Sequence, residues 1–435
     1  MAPTHAPVSL DRSIRRWDLI GVVINGVIGA GIFGLPSKIF SLSGAHSILA
    51  FGVCAICVSL VVLSFAEVAS RFSGTGGPYL YARETFGPTS GFTVGWLVWI
   101  ARITSFAANC SLLPTYLDLF SPGAGSGLPR ALIITGIVVT LAILNVTGVR
   151  LVANASNTFA VGKLLPLAVF IIVGLFFLDR SRFSFAVTPT YHSFSQSVLL
   201  LVYAFTGFEM AVIPGGEIRN PQRNLPAALL SGMAIVVVFY VLIQIVCIGT
   251  LPGLATSQRP LADAAGHFLG TGGAIMITAG MVVSLAGNLN VLILSASRIV
   301  FAMGESGDLP AILATIHPRF RTPLVSILLT TAVMLVLTLS GTFIYLITLS
   351  TVSRLVTYFA TCVALPLLRR RVAAPRAAFL MPAGTIIASA GVVLIFWLLS
   401  NCTITEARDT AIALAAGLCL YAVNRGLRAR RPRPT

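Results

Sequence analysis

The chain has 435 residues, of which 56% are hydrophobic and only 10% charged, with a mean hydropathy of +0.94. Soluble globular proteins carry about 25% charged residues, so soluble classes are excluded and most of this chain faces lipid or other apolar helices. The formal charge of +16 invites a nucleic-acid reading, but its placement along the chain follows membrane topology instead, and no nucleic-acid partner is expected.

At about 20 residues per spanning helix the length accommodates about twelve spans. Apolar segments read at 17–40, 46–70, 90–118, 130–149, 155–178, 194–217, 227–251, 271–303, 322–340, 341–367, 377–400 and 408–425. The first is span-length and lacks a small-residue cleavage site, which argues against a cleavable signal peptide. The eighth is long enough to tilt or to run on past the membrane, and 261–270 reads as a short helix in an outer loop. With a cytoplasmic N-terminus, the inner side holds nineteen basic residues between Arg12 and Arg433. The outer side holds six: Lys38, Arg130, Arg180, Arg182, Arg259 and Arg408. That is the positive-inside asymmetry of a multi-pass protein of the cell membrane with both termini inside. Seven cysteines lie mostly within apolar segments and read as small hydrophobes; Cys54-x-x-Cys57 has no partner pair, and neither metal nor other cofactor is expected.

The first span, GVVINGVIGAGIFGLPSKIF at 21–40, is built from poor helix formers. An interior glycine costs about 1 kcal/mol against alanine and an interior proline about 3. The sixth, YAFTGFEMAVIPGGEIRNP at 203–221, is interrupted in the same way by Gly207, Pro214, Gly215 and Gly216. Two Gly/Pro-interrupted spans at matching places in two halves point to a transporter's binding site between inverted repeats. Unwinding frees backbone groups that are tolerable in a membrane only where they line a cavity and meet a ligand. The half-helix after a break offers N–H groups and a positive dipole end to a carboxylate, and the one before it offers carbonyls to an ammonium. An amino acid supplies both. Gly21, Gly26 and Gly34 read as close-packing residues, whereas Gly29-Ala30-Gly31 reads as the break.

Four stretches in this order, IGAGIFGLP, AFTGFE, GEIRNPQRNLPAAL and SASRIVFAMGESGDLPAILATIHPRFRTP, resemble the amino acid–polyamine–organocation transporter superfamily over roughly residues 15–370. The resemblance implies an all-α integral membrane fold with a 5+5 inverted-repeat core, discontinuous first and sixth helices, and alternating access around a midplane site. The chain then divides into a cytoplasmic segment (1–16), two five-helix repeats (17–178 and 194–368), two additional helices (377–425) and a basic tail (426–435). By the same resemblance the substrate carboxylate meets the amides of Ala30 and Gly31, beside Gly29, and the amine meets carbonyls near Val27, Tyr203 and Thr206. Tyr203 stands where relatives often place a gating Trp or Phe ring, and Gly-Ala-Gly stands where many have Gly-Ser-Gly.

Ionisable residues at membrane depth are costly and are functional candidates by default. Here they are Glu67, Arg102, Lys163, Glu209 and Arg354. The chain has 27 Arg and two Lys, and one of those lysines is Lys163 on the fifth span. A buried lysine can exchange its proton where an arginine cannot. The resemblance puts Lys163 where proton-coupled members replace a bound cation, bridging the first and eighth spans, with Ser295 as a candidate neighbour; a statically paired or snorkelling lysine is the alternative. Glu209 falls on a position linked to protonation or substrate sensing. Arg102 has two readings, an ion pair with Glu209 or Glu67, or recognition of an acidic substrate side chain. Glu67 and Arg354 read as mainly structural. Asn288 and Asn290 on the eighth span either face the cavity or bond between helices.

The sequence thus reads as a secondary amino acid transporter that is not an enzyme, coupled to protons or exchanging one substrate for another. Polyamine transport and a non-transporting sensor are the alternatives. Beyond substrate, protons and lipid, a homodimer through the last two helices is a possible assembly.

Overall fold

The computed structural model describes residues 9–117, 123–340, 343–400 and 404–429; the first eight residues of the expected N-terminal segment and the last six of the basic tail lie outside them. Among the described residues the chain is all-helical. The helices are α1 (Arg16–Val27), α2 (Gly31–Ser43), α3 (Ser47–Ala69), α4 (Pro78–Phe86), α5 (Pro88–Leu117), α6 (Gly127–Thr147) and α7 (Val149–Gly174). The second half contains α8 (Tyr191–Ala204), α9 (Pro221–Thr250), α10 (Pro260–Glu305), α11 (Leu324–Leu339), α12 (Phe343–Arg370), α13 (Gly384–Leu399) and α14 (Ile404–Ala429). Seven helical stretches among the described residues are long and apolar enough to cross a membrane. Ile143, Leu165, Ile172, Ile386 and Val393 are exposed on α6, α7 and α13. A soluble protein would aggregate through such faces; here they are the lipid-facing surface.

Both interrupted segments are broken where the glycines and prolines stand. α1 ends at Val27, Ile28–Ala30 is non-helical, and α2 restarts at Gly31. α8 ends at Ala204, and short 3-10 turns at Phe208–Val212 and Gly215–Glu217 carry the chain to α9. The predicted short helix at 261–270 is the first part of α10, set off by non-helical backbone at Gly270 (φ 68°). The short helix α4 falls between the predicted second and third spans. It is too short and too polar to register as an apolar run.

The two breaks touch. A Cβ at Gly207, whose φ is +112°, would collide with the Gly26 carbonyl oxygen, and one at Gly26 would collide with the carbonyl of Gly207. Gly21 is likewise pressed against Asn157 of α7. Gly34 departs from the close-packing expectation: it lies on the exposed face of α2, with nothing within 4 Å of the place a Cβ would occupy.

The end of the bundle that carries the N-terminus is tied shut. Ile14 pairs with the chain at Ile218, its N–H donating to Glu217 O (3.0 Å) and its carbonyl accepting from Arg219 N (2.9 Å). Arg298 of α10 makes a fully buried two-pronged bond to Glu217, 2.9 Å on each arm. Asp18 accepts from Arg150 (2.9 Å) and Asn157 (2.6 Å) of α7. Asp308, just past α10, accepts from Tyr79 and Arg83 of α4, both at 2.7 Å. Burial pushes the Tyr79 phenol well above its usual range, so it stays protonated as that donor. At the opposite end the links between α2 and its neighbours are lighter: Ser43 to Ser197 of α8 (2.6 Å) and Ser37 to the Ala255 carbonyl (3.3 Å).

The contact between the breaks gives a direct test. Gly207→Ala adds a side chain in left-handed backbone, costing about 1–2 kcal/mol before the collision with Gly26 is counted. The thermal midpoint of the detergent-purified protein should fall by several degrees, while Gly34→Ala, in an exposed helical position with room for the methyl group, should hold or slightly raise it. Equal midpoints for the two variants would contradict the described contact.

Candidate functional site

A cavity of about 140 Å³ lies where α1 and α8 are interrupted. One wall is the backbone of Val27 and Gly29–Gly31. The others come from Ser105 and Asn109 of α5, Asn288 of α10, Thr206 at the second break and Arg354 of α12.

A helix end leaves its last four carbonyls without intrahelical donors. For α1 these belong to Asn25, Gly26, Val27 and Ile28, and each has found a donor elsewhere. Asn288 Nδ2 donates to Asn25 and Gly26 O (3.0 Å each). Val27 O accepts from Gly29 N (3.0 Å) and, at 3.4 Å, from the Tyr240 hydroxyl of α9, which also reaches Ala204 O at 3.3 Å. Ile28 O accepts from Lys163 Nζ (2.6 Å) and Ser284 Oγ (2.9 Å). Across the gap, Ala30 and Gly31 stand at the start of α2, where the first N–H groups of a helix have no intrahelical acceptor, and both residues line the cavity. The accepting end of the break is therefore well supplied with protein donors.

Behind the cavity wall stands a buried ionic cluster centred on Glu209. Its Oε1 accepts from Arg102 Nη2 (2.6 Å) and has Arg354 Nε at 3.9 Å. Its Oε2 accepts from the Tyr358 hydroxyl (2.7 Å) and from the backbone N–H of Gly207 (2.9 Å). Glu209 thus fastens α5 and α12 to the second break. Arg354 extends from this cluster into the cavity, donating to Thr206 Oγ1 and, at 2.9 Å, to Ser105 Oγ. Lys163 is fully buried on the other side, on Ile28 O and, at 3.2 Å, Ser284 O, and joins the first break to α10.

Residues 14–419 match the sequence profile of a family described as amino acid permease. The chain belongs to the amino acid permease family. Among its relatives, the serine/threonine exchanger SteT of Bacillus subtilis is 28% identical over 437 residues, spanning 97% of this chain and 98% of that protein. The branched-chain amino acid permease BcaP of the same organism is 25% identical over 75% of this chain and 74% of its own length. The methylthioribose transporter, also of B. subtilis, is 25% identical over 72% of each. With its long apolar helices, this permease is a multi-pass membrane protein.

The residues singled out in the sequence separate in space. Val27, Gly29, Ala30, Gly31, Thr206 and Asn288 line the permease's cavity. The Tyr203 side chain lies outside the described residues. Of the two readings of Arg102, the geometry contains the ion pair with Glu209, and the guanidinium is set back from the cavity lining. Glu67 pairs with Arg369 and Arg71 and accepts from Met381 N, tying α3 to α12 and to the start of α13. Asn290 points away from the cavity, to Asn145 and Ser156 at 3.1 Å each. Lys163 meets Ser284, not Ser295, whose hydroxyl bonds the Leu292 carbonyl. Those serines are eleven residues apart, about three helical turns, so they share a face of α10 but differ in depth by roughly 16 Å.

Ser105, Asn109 and Tyr240 are polar residues at this site that the sequence did not single out, and Arg354, read there as mainly structural, lines the cavity. Their signal is same-face spacing on apolar helices: Arg102, Ser105 and Asn109 recur at i, i+3, i+7, and Ser350, Arg354 and Tyr358 at i, i+4, i+8.

Truncating one member of a buried ion pair leaves its partner uncompensated, at about 3–5 kcal/mol. Glu209→Ala, which leaves both Arg102 and Arg354 without their carboxylate, should therefore lower the thermal midpoint markedly, and Arg102→Ala should add little on top of it. Additive losses in a double-mutant cycle of melting midpoints would show that the pair is not coupled.

Proposed function

We propose that the protein is a secondary active transporter of amino acids working by alternating access, with protons as the coupling ion. In this reading the first ten spans of about twelve form two five-helix inverted repeats, 17–178 and 194–368, with α13 and α14 appended and both termini in the cytoplasm. The observation that carries it is the cavity at two touching helix breaks, lined by Ala30 and Gly31 at the N-terminus of α2 and by Val27 and Ala204 at the C-terminal ends of α1 and α8. The α-carboxylate binds the N-terminus of α2, which combines unpaired donors with the positive end of the helix dipole. The ammonium sits toward the carbonyl ends, using the second lone pairs of Val27 and its neighbours.

Lys163 has the attributes of a built-in cation. Its ammonium holds the Ile28 carbonyl of the first break against the Ser284 carbonyl of α10. Loss of its proton removes the charge that strengthens both bonds and loosens α1 from α10. Binding that depends on the shape of the first break is thereby linked to protonation. Exchange of one amino acid for another is the second reading, favoured by the full-length similarity to an exchanger.

Uptake of a radiolabelled amino acid panel into proteoliposomes, with and without an inward proton gradient, separates these readings. Gradient-enhanced accumulation of one subset is the expected result. Uptake only into preloaded vesicles assigns exchange, and no flux of any amino acid overturns the reading. Lys163→Ala should abolish the gradient-driven component while preserving the thermal shift caused by substrate. A pH profile that overlays the wild type would remove Lys163 from coupling.

A further inference from the structure

The ionic cluster behind the cavity does not balance. Arg102 and Arg354 bring two positive charges and Glu209 one negative. The other carboxylates of the buried interior are engaged elsewhere, Glu67 with Arg369 and Arg71, and Glu217 with Arg298. Within this cluster one cationic charge is left over, and it is delivered to the cavity by Arg354, the cluster member that lines it. Its polar neighbours there, Thr206 and Ser105, are neutral hydroxyls that do not cancel the charge. The cluster also holds unused donors: Nε and Nη1 of Arg102 and Nε of Arg354 are buried without a hydrogen-bond partner among the described residues.

The lining is biased the same way. Ala30 and Gly31 at the start of α2, where a helix's first N–H groups lack intrahelical acceptors, line the space, and the carbonyls of α1 already accept from Asn288, Tyr240, Lys163 and Ser284. A buried cation without a counter-ion costs several kcal/mol. An occupant that brings a second anionic group to the Arg354 side therefore gains what a neutral one does not, and a guanidinium fork suits a carboxylate in two-pronged fashion.

We propose that Arg354 is the specificity residue of this cavity and that the substrate is a dicarboxylic amino acid, whose side-chain carboxylate meets the Arg354 guanidinium. This rests on the amino acid transport reading above and goes beyond it by naming the substrate class. The α-carboxylate occupies the α2 N-terminus, the ammonium lies toward the carbonyl ends, and the second carboxylate displaces the hydroxyl contacts of Arg354.

Aspartate and asparagine differ in charge at nearly constant shape, so the pair isolates the proposed interaction. In proteoliposomes of the wild-type protein, unlabelled aspartate or glutamate should compete with labelled aspartate at concentrations about tenfold or more below asparagine or glutamine. Arg354→Gln should collapse or reverse that ratio, and Arg354→Lys, which keeps the charge without the fork, should fall between. A merely structural role would lower uptake of both members together with the ratio unchanged, and would overturn the proposal. Transport of neutral amino acids by the wild type with rejection of aspartate and glutamate would overturn it while leaving the transport reading intact. Absence of flux for every amino acid would overturn both. The wild-type panel decides the matter even if the variants do not fold.

Discussion

Everything in this structure hangs on one constraint: backbone polar groups released inside an apolar bundle must find partners, because no bulk water is there to take them. Interrupting α1 exposes four carbonyls, and the protein answers with side chains from three other helices. Asn288 and Ser284 of α10, Lys163 of α7 and Tyr240 of α9 all converge on residues 25–28. These bonds fix how α7, α9 and α10 stand around the first break. They also explain why polar side chains are affordable at this depth, since each one is matched to a backbone group that would otherwise be orphaned.

The second break is held differently. Its left-handed Gly207 donates to Glu209, which at the same time receives Arg102 from α5 and Tyr358 from α12. One carboxylate thus organises three elements. The two arrangements meet at Gly26 and Gly207, where backbone lies directly on backbone and no side chain fits. That contact sets both breaks at one depth, so their loose ends enclose a single cavity. The ions assign the cavity its sign, with Arg354 on its wall and Glu209 behind it.

The bundle is asymmetric along its length. At the N-terminal end, buried or partly buried ion pairs and a short backbone pairing tie Ile14, Asp18, Glu217 and Asp308 to their neighbours. At the other end, α2 shows an exposed face of Gly31, Gly34, Lys38 and Ser41, recurring at helical spacing, and its side-chain links are neutral: the Ser37 and Ser43 hydroxyl bonds and a bond from Gln244 of α9 to the Pro36 carbonyl. Charge-assisted bonds are roughly twice as strong as neutral ones. The N-terminal end is the more firmly closed of the two.

How much of this was legible in the sequence follows from what one-dimensional patterns encode. Apolar runs marked the long helices but not the short, polar α4, and glycine and proline marked both breaks, because the cost of those residues in a helix is local. The scarcity of lysine drew attention to Lys163, and membrane depth to Arg102, Glu209 and Arg354, because burial of charge is costly wherever the chain goes. Helical spacing fixes the face on which a residue lies but not its depth or its neighbour. The serine beside Lys163 is therefore Ser284 and not Ser295, three turns away on the same face. Gly26 packs against another backbone, while Gly34 meets open space. Arg354, and not Arg102, reaches the cavity, since that depends on how α5 and α12 are rotated against the second break. The sequence determined which groups had to be satisfied; tertiary packing alone decided which partner satisfies each, because hydrogen bonds and ion pairs are made between helices that the chain order does not bring together.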